Sequence, residues 1–236
     1  MKVSIMQPYF LPYIGYFQLI YNTDQFILLD TVQYIRHGWI ERNRIQKQGG
    51  GWIYIRVPIT KEFGRETRIQ NIRIDNTINW KKTILDQLQI YKRKAPYYEP
   101  TISMLNKVFE NTYINISTLN RDCLNAVLNY LGLKKDIKIF SEMNIEIEEP
   151  KAPDEWALNI CKAMGVDEYW NPPGGISFFD RNKYMMNNIT LRFLKPILAK
   201  YDQKNDGFQE GLSIIDVLMF NSKETVINYL GQFEVL

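Results

Sequence analysis

Three stretches of the chain concentrate residue types that can do chemistry. The first is Gln7, Tyr9, Tyr13, Gly15 and Tyr16, inside the run Met6-Gln7-Pro8-Tyr9-Phe10-Leu11-Pro12-Tyr13-Ile14-Gly15-Tyr16-Phe17. Its phenols can stack on a ring and hydrogen-bond a substituent. Gly15 falls in the first turn of an expected helix. Either the free N–H groups and helix dipole receive an anion there, approached closely because no Cβ intervenes, or the glycine only lets the helix pack on a sheet. The second stretch holds Asp30, Gln33, Tyr34, Arg36, His37, Trp39, Arg42, Asn43 and Arg44. Arginine forks suit phosphate or carboxylate. Asp30 can hold a ribose hydroxyl, bind a metal or orient an arginine. His37, the single histidine of the chain, carries the imidazole most often used as a general acid or base. Asp30 and His37 are therefore the acid–base candidates, against the alternative of a solvated basic loop. The third stretch is Asn171, Gly174, Gly175, Ser177 and Asp180. A Pro-Gly-Gly turn after an apolar strand supplies either the consecutive backbone donors of an anion nest or merely a tight turn.

The elements around these stretches form a pattern. Val3 to Met6 reads as a strand, Tyr13 to Tyr21 as a helix with an apolar stripe, and Gln25 to Asp30 as a strand buried on both faces. Strand, helix, strand over about thirty residues is a βαβ unit with a parallel pair. Pro8 and Pro12 lack backbone donors, so the first strand must end in a rigid loop. In α/β proteins such loops, outside the carboxyl ends of strands, bind ligands. Residues 39–46, 52–59 and 67–74 read as strands of an antiparallel insertion. Helices follow over 78–92, 98–110 and 116–131. A short strand at 137–140 leads to an acidic loop, a helix over 152–164 and a strand at 168–170. The chain closes with a helical turn within 178–186, a strand over 189–194 and helices at 213–220 and 224–230. The expected fold is α/β, Rossmann-like, with a mostly parallel sheet and helices on both faces. One domain spans 1–236 and includes a β-rich insertion at 36–75 and a helical section at 76–135.

Composition narrows the function. With 29 basic and 26 acidic residues and a net charge of +3, charge alone gives no case for nucleic acid. Cys123 and Cys161 both lie in helical patterns, so neither a disulfide framework nor a zinc site is expected, and a reducing compartment fits. No secretory signal or membrane span is read from the chain, which makes the cytoplasm the expected location. No metal site is expected. No Walker or dinucleotide fingerprint is present, and no serine occupies a nucleophile-elbow context.

Taken together, these residues resemble the WbqC-like protein family. Gln7 to Ile20 resembles its opening signature. Asp30-Thr31-Val32-Gln33-Tyr34 with Trp39 and Arg42-Asn43-Arg44-Ile45 resembles a second block. Pro173-Gly174-Gly175 with Phe179-Asp180, and Leu212-Ser213-Ile214-Ile215-Asp216, resemble a third and fourth. The resemblance implies a bacterial, cytoplasmic protein encoded among genes for O-antigen and other surface polysaccharides. It further implies a transferase that modifies a nucleotide-linked amino sugar by N-acylation or aminoacylation, with glycine one candidate donor. Asn171-Pro172 depart from the serine and glycine that often stand before Pro-Gly-Gly in the family. Two other readings are open. The strand, proline loop and glycine-bearing helix start are also similar to the opening of the nucleotidyltransferase and pantothenate-synthetase superfamily, which implies an adenylate-forming ligase using ATP. The third is a non-catalytic nucleotide-sugar-binding module. An acyl donor or ATP is accordingly the expected co-reactant, and the sequence does not specify an oligomeric state.

Overall fold

A computed structural model describes residues 1–62, 64–205 and 207–236. The strands are β1 (Lys2–Met6), β2 (Gln25–Leu28), β3 (Arg42–Gln46), β4 (Trp52–Arg56), β5 (Ile137–Ile139), β6 (Glu168–Asn171), β7 (Thr190–Pro196) and β8 (Phe233–Val235). The helices are α1 (Ile14–Asn22), α2 (Trp80–Gln87), α3 (Tyr98–Phe109), α4 (Ile116–Tyr130), α5 (Glu155–Met164), α6 (Arg181–Met186), α7 (Ile214–Phe220) and α8 (Lys223–Leu230). Six strands form one sheet in the order β5-β2-β1-β6-β7-β8, and β3 pairs with β4 in a separate two-stranded sheet. All pairs of the large sheet are parallel except β7 with β8. The expected α/β fold with a mostly parallel sheet and a small antiparallel β element is the one observed.

Alternation along the central strands builds both layers. Val3, Ile5, Ile27 and Leu29 pack with Ala157, Leu158, Ile160, Tyr169 and Tyr184 on the face covered by α5 and α6. Phe26, Leu28, Trp170 and Leu194 belong to the opposite, larger cluster with residues of α1, α3, α4, α7 and α8. Helix starts follow local chemistry: the side chains of Asn115, Ser213 and Ser222 accept backbone N–H groups at the first turns of α4, α7 and α8.

One expectation fails locally, and one short strand was not expected. Residues 67–74 are not a strand. Ile69–Asn71 is a 3₁₀ turn, flanked by isolated bridges Gln33 to Arg68 and Ile59 to Ile74. Its donors are taken by the segment after β2, Ile69 N–H by the Val32 carbonyl and Gln70 N–H by the Asp30 carbonyl, so no regular ladder forms. Conversely, β8 is a strand of three residues, created by pairing with the end of β7, Leu194 with Val235 and Pro196 with Phe233. Three residues are too short for a period-2 pattern.

The loop between β1 and α1 is bonded at almost every carbonyl. Gln7 O accepts the Tyr16 hydroxyl at 2.8 Å. Pro8 O accepts Asn120 Nδ2 at 2.8 Å, and that amide also donates to Ile40 O at 2.9 Å. Phe10 O accepts Asn43 Nδ2 at 3.0 Å, Leu11 O accepts the Ser213 hydroxyl at 2.7 Å, and Pro12 O accepts Ile214 N–H at 2.8 Å. Asn120 is fully buried. Asn120→Ala orphans two buried carbonyls, so the unfolding free energy should fall by about 2–4 kcal/mol in urea titration. A loss under about 0.5 kcal/mol would show that the loop is held without it.

Candidate functional site

The order of strands reverses between β1 and β6: chain connections run outward from β1 in one direction and from β6 in the other. At such a switch point the loops leaving the carboxyl ends diverge and open a crevice. Here the two loops are residues 7–13 after β1 and residues 172–175 after β6. Two cavities lie there. One, of about 300 Å³, is lined by Met6, Tyr9, Pro12, Tyr13, Tyr16, Leu19, Trp39, Asn43, Arg44, Pro172, Leu198 and Gly211. The other, of about 680 Å³, is a broader groove that includes Gln7, Leu29, Gln33, Trp156, Asn171, Gly174, Gly175 and Phe178. They share Met6, Tyr9 and Pro172. Tyr9 and Arg44 thus line one chamber, and Gly175 lies beyond the Tyr9–Pro172 divide.

The smaller chamber is aromatic with one cation. Tyr16 is fully buried with its hydroxyl bound to Gln7 O. The Tyr9 ring lies 5.5 Å from it, and the Tyr9 and Tyr13 hydroxyls have no hydrogen-bond partner among the described residues. Burial raises the pKa of both phenols, so they stay neutral donors and acceptors at physiological pH. Arg44 is the one charged residue of the lining. Its guanidinium carbon lies 5.3 Å from the ring centres of both Trp39 and Trp52. Nη2 donates to Gly211 O at 3.1 Å, and Nε is buried without a partner. Among the described residues Arg44 has no ion pair. A cation stacked near two indoles and uncompensated by acid keeps its charge free for an anionic group. The Asn43 amide donates to Phe10 O and accepts Arg44 N–H at 2.8 Å, fixing loop and strand together at the chamber wall.

Gly15 serves neither as an open anion seat nor as a close contact with the sheet. A Cβ there would fall 2.4 Å from the Tyr13 ring, which covers the helix start. The glycine makes room for a chamber wall. Gly175 is similar: a Cβ would sit 2.0 Å from the Asn171 amide nitrogen. The N–H groups of Gly175 and Ile176 are consumed within the turn by Pro172 O and Pro173 O, so the Pro-Gly-Gly segment is no open nest. Buried Asn171 accepts the Tyr169 hydroxyl at 3.0 Å. Asp180 is exposed and caps α6 by accepting Asn182 N–H.

The acid–base candidates lie outside the chamber. Asp30 is 1% exposed, and its carboxylate accepts the Ser141 N–H at 3.1 Å and hydroxyl at 2.7 Å. Burial raises its pKa and the Ser141 bonds oppose this. Asp30 therefore ties the end of β2 to the turn after β5 and is not placed to take a substrate proton. His37 is exposed, with a left-handed φ of 63°, and lines neither cavity. Its carbonyl accepts Arg42 Nη2, while Arg42 Nε donates to Gly38 O at 3.1 Å and the guanidinium stacks 4.2 Å from the Tyr54 ring centre. Arg42 thus pins the 37–38 turn and leaves Arg44 as the cation of the site. Gln33 is exposed on the groove and donates to Arg65 O at 2.6 Å.

Leu198 and Gly211 enter the chamber from the segment after β7, which carries no sequence signal for it. That segment is anchored by Asp216, a fully buried carboxylate that accepts Tyr201 OH at 2.6 Å, Tyr91 OH at 2.8 Å, Gln46 Nε2 at 2.8 Å and Gln203 Nε2 at 2.9 Å. The isolated acid in the Leu212–Asp216 block is the signal that could have pointed to it.

The fold and crevice define an α/β protein with two adjoining cavities at the switch point of a mostly parallel sheet. The chain belongs to the WbqC-like protein family, which matches residues 7–228. It is 31% identical over 232 residues to Uncharacterized protein Rv1507c of Mycobacterium tuberculosis, covering 97% of each chain. No solved structure matches the chain. Among the described residues no helix is long and apolar enough to cross a membrane.

Two variants test this geometry. Ser141→Ala leaves the buried Asp30 carboxylate without its hydroxyl partner and should cost about 1–3 kcal/mol in urea unfolding, while ligand affinity of the folded protein stays at the wild-type value. Lost affinity at full stability would return Asp30 to the site. Gly15→Ala must displace the Tyr13 ring. It should weaken any chamber ligand by about tenfold or more, the cost of about 1.4 kcal/mol of misfit; calorimetric titration measures it.

Proposed function

We propose that this protein is a transferase that modifies a nucleotide-linked amino sugar, by N-acylation or aminoacylation, for an O-antigen or another surface polysaccharide. The carrying observation is Arg44, a cation without an acid partner, facing two unpartnered phenols in an aromatic chamber. Rings stack on a sugar or base, neutral hydroxyls bond its substituents, and the guanidinium takes a phosphate. The adjoining groove offers room for a second reactant, as a transfer needs. Family membership is in keeping with a biosynthetic role, and the two buried, unpaired cysteines fit a reducing cytoplasm.

A ligase that binds ATP has weaker support. A triphosphate calls for several donors or cations. The helix start is covered by Tyr13, the Gly175 and Ile176 donors are spent within their turn, and Arg42 is engaged by the 37–38 turn. A pure binding module differs from the transferase in one readout: it binds the sugar nucleotide without product formation in any donor mixture.

Calorimetry with a dTDP-linked amino sugar should show saturable binding. Arg44→Gln should weaken it by about tenfold or more, and Arg44→Lys should recover only part, because a bidentate fork is lost. Absence of binding at millimolar ligand sinks the proposal. With Tyr9 and Tyr13 both raised and His37 off the chamber, affinity should be flat from about pH 6 to 8. A step in that window would place a titrating protein group against the ligand.

A further inference from the structure

We propose that the broader groove beside the Arg44 chamber binds the hydrocarbon chain of a small anionic amphiphile. The groove is lined by Leu29, Val32 and Ile35 from the segment that ends and follows β2, by Trp156 of α5, and by Phe178 and Phe179 after β6. Two of these apolar side chains stand in solvent: Ile35 is 60% exposed and Phe178 52%. A cavity of about 680 Å³ with apolar walls and an apolar rim gains by covering that surface with hydrocarbon.

Charge selects the head group. The lining contains no acid, and its single charged residue is Lys151, whose ammonium has no ion pair or hydrogen bond among the described residues. Its backbone N–H, in contrast, is held by Glu155 at 2.7 Å, which fixes the position of the residue at the groove. A chain with a negative head complements this lining; the same chain with a positive head does not. The Gln7 amide also faces the groove without a partner among the described residues, next to the shared Tyr9. The inference does not depend on the sugar-nucleotide reading, since the two cavities have separate charged groups, Arg44 and Lys151.

The test is calorimetric titration with decanoate and with decyltrimethylammonium, which share a chain and differ in charge. Decanoate should bind saturably and the cation about tenfold or more weakly. Lys151→Glu should reverse that order. Phe178→Ser should weaken decanoate about tenfold, the effect of removing a partly buried aromatic side chain. Both positions are exposed, and an unchanged melting temperature confirms that the variants fold. Arg44→Gln should leave decanoate affinity unchanged, whatever it does to a sugar nucleotide. The proposal is overturned by no saturable binding at submicellar decanoate, by equal binding of both amphiphiles, by affinity indifferent to both groove variants, or by loss of decanoate binding in Arg44→Gln.

Discussion

The site depends on how the chain leaves β1. Pro8 and Pro12 remove two donors from the exit loop, and its carbonyls must still be satisfied. They are satisfied from four directions: Tyr16 of α1, Asn120 of α4, Asn43 of β3, and Ser213 with Ile214 at the start of α7. Leu11 is held at a φ of 41° in the middle of this arrangement, a conformation that costs a non-glycine residue about 1 kcal/mol and persists only where neighbours over-determine it. The loop is thus a rigid hub, and the rings of Tyr9 and Tyr13 inherit its rigidity. A binding surface built this way loses little side-chain entropy when a ligand arrives.

A second polar centre does for Arg44 what the loop does for the tyrosines. Asp216 gathers four donors in a fully buried setting and draws together β3 through Gln46, the 3₁₀ turn after α2 through Tyr91, and the segment after β7 through Tyr201 and Gln203. Buried carboxylates are expensive unless saturated with hydrogen bonds, and this one is. The result places Gly211 O where it can receive Arg44 and leaves the rest of the guanidinium between two indoles. The cation is oriented without being neutralised.

Several polar residues that look chemical in the chain are structural in the fold. Asp30 and Arg42 make their side-chain hydrogen bonds away from the cavities. Gly15 and Gly175 are required by the side chains of Tyr13 and Asn171, which occupy the space a ligand's phosphate would need. Acidic, basic and glycine residues near strand ends serve ligand binding or loop locking equally well by composition. Which of the two holds is set by the partner each one meets; for Arg42, Gly15 and Gly175 it lies within five residues, and for Asp30 it is Ser141, more than a hundred residues away.

The residue pattern alone was enough for the alternation of strands and helices, the βαβ opening, the buried character of β2, the position of most helices and the three stretches that meet at the crevice. These are local properties: apolar period, proline and glycine placement, and capping side chains act within a few residues. The strand order that brings the β1 and β6 exits together, the division of the crevice at Tyr9 and Pro172, the selection of Arg44 over Arg42, and the entry of Leu198 and Gly211 were not readable in that way. Each depends on a long-range pairing whose free energy appears only when distant segments pack. The three-residue β8 and the 3₁₀ turn at Ile69–Asn71 show the same limit on a small scale, since both take their form from hydrogen-bond partners supplied by another part of the chain.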